Sequence, residues 1–115
     1  MNDQTVNYRK QVLETVEIFA RPSMQQEYEA NVPIVNVPEE LVCDFPFFPK
    51  DPEFIDAFLH DELLGIAELY GMVCIAADRI DALGCQSVAD MLKVLEWRNV
   101  IAFAKDFEVL LNRNY

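Results

Sequence analysis

The sequence predicts an all-α fold, an irregular or orthogonal bundle of four to six helices with a proline-rich ordered loop packed against it. Three observations carry this reading. Apolar residues recur at helical spacing across residues 3–20, 61–83 and 87–112. Five of the six prolines fall within residues 27–62, where they leave room for no more than a short extended strip. The chain has 115 residues, 52% of them apolar, which suits one domain over 1–115 with a proper core and excludes a disordered acidic tail.

The first helix is expected over 3–20. Val12, Leu13, Val16, Phe19 and Ala20 share one face, with Arg9, Lys10, Glu14 and Glu17 on others. Arg21-Pro22 stops it, because a residue before proline avoids helical angles. Ser23, with Gln26 three residues on, reads as the cap of a short second helix. Val32, Ile34, Val35 and Val37 are β-like but flanked by prolines, and residues 31–50 read as an ordered loop. Pro38 to Cys43 suits one helical turn, with proline first and acids complementing the dipole.

Asp51-Pro52-Glu53 is a helix start: a capping acid, then proline, then an acid. Asp61 reads as the cap of the next helix, which runs to about Leu83. Its apolar residues cover most of the circumference, which predicts a place at the centre of the bundle. Gly84 sits where a left-handed C-terminal cap is needed. Ser87 to Asp90 is a weaker capping signature, and 87–112 is either one helix or two with a break near Glu96. Trp97 and the methionines are expected in the core.

Charge is the feature closest to function. Residues 27–62 hold ten acids and one base, Lys50, a net of −9 within a formal total of −11. This excludes direct binding to nucleic-acid phosphates and disfavours anionic membranes, both of which call for clustered Lys and Arg. It favours a basic protein partner. The polar N-terminus predicts no signal peptide, and the charges within 63–83 predict a buried helix rather than a membrane span. Three cysteines without C-x-x-C spacing argue against a disulfide framework or zinc knuckle and fit the cytoplasm. Cys74, among apolar neighbours, reads as a core residue; Cys43 and Cys85 read as loop residues.

No motif supports catalysis. His60 is the single histidine, and three glycines in all provide no phosphate-binding loop. No cofactor is expected. Asp56 and His60, four apart, with Glu53 on the same helix face, form the only trio that suggests a metal, and no further ligand pair is spaced to complete a shell. The expected partner-binding residues are Glu39, Glu40, Asp44, Phe45, Phe47, Phe48, Asp51, Glu53, Asp56, Asp61 and Glu62. In the run Phe45 to Pro49, two phenylalanines can anchor the loop, and a third can protrude as an aromatic hot spot ringed by acids.

In size, acidity, helical content and loop character, the whole chain resembles bacterial immunity proteins, including those paired with contact-dependent growth-inhibition and other polymorphic toxins. The resemblance implies a cytoplasmic protein without catalysis that binds a cognate basic toxin domain, such as a nuclease. A DNA mimic that blocks a nucleic-acid-binding protein is the alternative from the same charge, and a metal-binding helical protein is another.

Overall fold

Chain punctuation sets the helix ends. The computed structural model describes residues 3–32 and 35–114. It contains α1 (Asp3–Ala20), α2 (Pro22–Asn31), α3 (Val37–Cys43), α4 (Pro52–Asp56), α5 (His60–Leu83), α6 (Val88–Met91) and α7 (Leu95–Arg113). The described residues form seven helices rather than four to six, because α4 and α6 are single-turn pieces. No strand occurs among the described residues. Pro33 and Ile34 lie outside them, Val35 sits in a bend, and Val37 already begins α3.

Local signals account for most boundaries. Arg21 is extended (φ −128°, ψ 99°), and Pro22 occupies the first position of α2, one step ahead of the expected Ser23 cap. Asn36 caps α3 by accepting from the Glu39 N–H at 3.1 Å. Asp51 caps α4 through the Glu53 N–H at 2.9 Å, and Ser87 caps α6 through that of Asp90 at 3.2 Å. Gly84 ends α5 at φ 66°, ψ 33°, the left-handed conformation that glycine adopts at least cost. The segment 87–112 divides at 92–94, a little before Glu96.

The central helix is α7, not α5. α7 packs against both α1 and α5. It buries Trp97, Val100, Ile101, Ala104, Phe107 and Leu111 along one stripe. α1 contributes Val12, Val16, Phe19 and Ala20. α5 buries only one side, through Ile66, Leu69, Val73, Ala76 and Ile80, and leaves Leu64 and Ile75 in solvent. Its all-round apolar pattern therefore marks two apolar faces rather than full burial. Cys74 falls on the exposed side, while Cys85 lies in the loop after α5, as expected, and is buried there.

Close packing of α5 on α7 depends on Gly65. A Cβ there would stand 2.4 Å from Cε1 of the buried Phe107 ring. Gly65→Ala is expected to lower stability by about 1–3 kcal/mol through overpacking, despite a helix-propensity gain of about 1 kcal/mol. Urea unfolding measures this, and an unchanged midpoint would show that Phe107 yields freely.

Two polar side chains are locked into this core. Gln25 is fully buried; its amide donates to the Ile18 and Phe19 carbonyls at 3.0 and 3.3 Å, and its oxygen accepts from Trp97 Nε1 at 3.1 Å. This fastens α2 to the C-terminal end of α1 and the start of α7. No buried side-chain nitrogen or oxygen among the described residues lacks a hydrogen-bond partner.

Candidate partner-binding surface

Residues 44–51 lie along a chain of aromatic rings. Phe45 stacks on Phe19 at 6.0 Å and meets Tyr70 at 6.0 Å. Phe47 contacts Tyr70 at 4.9 Å and Phe54 at 6.2 Å. Phe48 contacts Tyr8 at 5.3 Å and Phe54 at 5.8 Å. Phe45 and Phe47 are half-buried, and Pro46 is buried between them. Phe48 stands 43% exposed. Two rings anchor the loop, and the third is presented to solvent.

The acids divide by environment. Asp51 both caps α4 and accepts from the Tyr8 hydroxyl. The Tyr8 bond and the backbone N–H groups hold its carboxyl below the usual range. Glu40 accepts from Tyr28 Oη at 2.9 Å, and that contact raises the Tyr28 phenol. Glu39, Asp44, Asp56 and Asp61 are exposed and Glu53 is half-buried. Asp61 turns its carboxylate to the Glu62 N–H at 2.9 Å, but the α5 cap position belongs to Leu59.

Glu62 cannot face a partner. It is fully buried, with Oε1 and Oε2 each 2.9 Å from an Arg9 guanidinium nitrogen. It also accepts the Leu59 N–H at 2.8 Å. Arg9 donates further to the carbonyls of Ala57 and Leu111 at 3.1 and 3.3 Å and lies 5.6 Å from the Phe58 ring centroid. The pair joins α1, the α4–α5 junction and the end of α7. Burial pushes the Glu62 carboxyl up, but the hydrogen bonds from Arg9 and Leu59 outweigh it and leave it lowered. Glu29, half-buried, is also engaged within the protein, accepting the Val88 N–H at the start of α6 at 2.8 Å.

The metal trio does not assemble. α4 ends at Asp56 and α5 begins at His60, so the two residues do not share one helix face. No three His, Cys, Asp or Glu side chains among the described residues are placed to hold a metal ion.

What remains is an acidic surface with little internal compensation. Among the described residues the ion pairs are Arg9–Glu62, Lys10–Glu14, Arg21–Glu108 and Arg79–Glu96. Of the ten acids in 27–62, only Glu62 is in one of them. The predicted residues do not form a single patch. Glu40 and Asp44 edge a small hollow with Tyr28. Glu39 lines another of about 410 Å³ with Asp78 and Asp81 of α5. Asp56 borders a groove of about 600 Å³ whose apolar lining includes Val6, Leu13, Phe58 and Leu59 and which also takes in Glu17, the Lys10–Glu14 pair and Arg9.

Sequence reasoning missed Asp78, Asp81, Glu14 and Glu17 because they lie outside the acidic stretch and only folding brings them beside it. No helix among the described residues is long and apolar enough to cross a membrane. No protein-family model, curated protein or solved structure matches the chain.

Proposed function

We propose that this chain is an immunity-type binding protein that captures a basic toxin domain, a nuclease in kind, and neutralises it stoichiometrically in the cytoplasm. The observation that carries the reading is the set of solvent-facing acids Glu39, Asp44, Asp56 and Asp61, none ion-paired to Lys or Arg among the described residues, on the same segment as the exposed Phe48. Unpaired carboxylates attract a cationic protein from a distance, and a protruding aromatic supplies the short-range contact. Distribution of the acids over separate hollows suits a contoured protein surface better than DNA mimicry, which calls for one row of carboxylates at phosphate-like spacing.

Capture of the partner from the native cell at low salt, followed by stopped-flow association, tests the reading. The variant Glu39→Lys, Asp44→Lys, Asp56→Lys should associate at least about tenfold more slowly and lose most of its salt dependence. An unaltered rate on a basic partner would remove this surface from the interaction, and absence of any basic partner would remove the function.

A further inference from the structure

The groove beside Asp56 has α1 as one wall. Val6, Lys10, Leu13, Glu14 and Glu17 line it at helical spacing, on one side of that helix. From Val6 to Glu17 the wall runs about 16 Å, three helical turns. The other wall is the turn between α4 and α5. Ala57 and Phe58 are buried there, whereas Val6 and Leu59 line the groove while 51% and 55% exposed. Its volume of about 600 Å³ is within the ~300–1,000 Å³ common for binding sites. An apolar hollow edged by polar residues marks a contact, whereas singly scattered apolar residues do not.

The turn that forms this wall is held from inside. The Leu59 N–H donates to Glu62 at 2.8 Å, and the Ala57 carbonyl accepts from Arg9 at 3.1 Å. The backbone is fixed while the Leu59 side chain is left in water. Such a wall is already in place before anything binds, so little ordering cost falls on the complex.

The charges around the groove have one sign once their partners are counted. Arg9 is matched by the buried Glu62, which holds both of its terminal nitrogens. Lys10 is matched by Glu14 at 4.0 Å. Glu17 and Asp56 remain, one on α1 and one at the end of α4, and neither is in an ion pair among the described residues. An anionic amphiphile or a second copy of this acidic groove would be repelled. Apolar side chains flanked by Lys or Arg are matched in both respects.

We infer that this groove receives an amphipathic, Lys- or Arg-bearing helical segment of the basic protein partner, with its apolar side chains against Val6, Leu13, Phe58 and Leu59. A groove wall of three turns suits the apolar stripe of a helix. This contact rests on the reading above of a chain that captures a basic protein, and it adds a separate role. The exposed acids set how fast the partner arrives, and the groove sets how long it stays.

Dissociation kinetics test it, with the basic polypeptide captured from the native cell at low salt as the partner. Val6→Ser with Leu59→Ser should speed dissociation about tenfold or more and leave association and its salt dependence unchanged. Glu39→Lys with Asp44→Lys, outside the groove, should do the reverse. Dissociation of the serine variant at the parent rate overturns the inference and leaves the reading of the chain standing. Absence of any basic partner overturns both. A second probe is a synthetic helical peptide of about 15 residues with leucines along one face and lysines elsewhere. NMR of the full chain should place the largest shifts at Val6, Leu13, Ala57 and Leu59, and the serine variant should lose them. Shifts centred on the outer face of α5 or on residues 44–51 overturn the inference. So does equal binding of a peptide of the same composition whose leucines are scattered around the helix. Circular dichroism confirms that the substitutions, both at exposed side chains, leave the helices intact.

Discussion

Arg9→Met is expected to cost about 3–5 kcal/mol, because it leaves the Glu62 carboxylate buried without its counter-charge. Glu62→Leu alone should cost less, about 1–3 kcal/mol, since the guanidinium keeps its bonds to the Ala57 and Leu111 carbonyls. The double variant should recover most of the loss, because a buried ion pair replaced by apolar groups is often neutral. Urea unfolding of the three variants decides the matter, and an Arg9→Met loss under about 1 kcal/mol would show that water reaches the pair. The pair also sets an acid limit. Glu62 is lowered in the folded state, so its contribution is fully present above the unfolded carboxylate value of about 4.3 and is lost as pH falls through the folded value. The lowered Asp51 acts in the same direction. Stability should therefore fall on acidification below about pH 4.3, and Arg9→Met should flatten that fall.

Phe54→Ala is expected to cost about 3–5 kcal/mol, and Phe48→Ala far less. Phe54 is fully buried and touches four rings: Tyr8, Phe47, Phe48 and Phe58. Removing it opens a cavity under the proline-rich loop and frees both loop phenylalanines that rest on it. Phe48 has its own ring partly in water, so its truncation gives up less burial and leaves Phe54 packed on three sides. The consequence for function is reversed. If Phe48 is the aromatic anchor of the partner, Phe48→Ala weakens capture by about tenfold or more while the unfolding midpoint moves little. Calorimetric titration with the isolated partner, alongside thermal unfolding, separates the two effects. Unchanged affinity for Phe48→Ala would mean that this ring only covers Phe54.

The elements readable in the sequence are those fixed by neighbours along the chain. The extent of α1, the Asp51-Pro52 start of α4, the Ser87 cap and the Gly84 terminus each depend on residues within one turn. What depended on distant residues was not legible. Glu62 looks like any acid in the first turn of a helix, and its partner lies 53 positions earlier. One signal was available: Arg9 continues the line of Val12, Val16 and Ala20 toward the N-terminus, on the side that α1 buries. Reading it with the other charged residues of α1 placed it in solvent. α5 was misplaced for a related reason. Hydrophobic periodicity reports how many faces are apolar, not whether this chain alone covers them. The exposed Cys74 follows from that one error. The acidic stretch was legible as charge, but Glu29, Glu40, Asp51 and Glu62 are engaged within the protein, and only the remainder is offered outward.

Trp97 gives the molecule a built-in optical probe. It is the single tryptophan, fully buried, with its indole N–H bound to Gln25 and its ring edge-on to Phe19 at 5.2 Å. Its emission should be blue-shifted in the native state and move to the red only when the junction of α1, α2 and α7 opens. Docking at Phe48 leaves that environment in place, so a change in colour reports unfolding and a change in anisotropy at constant colour reports assembly. A single fluorescence titration can therefore tell a variant that no longer folds from one that no longer binds.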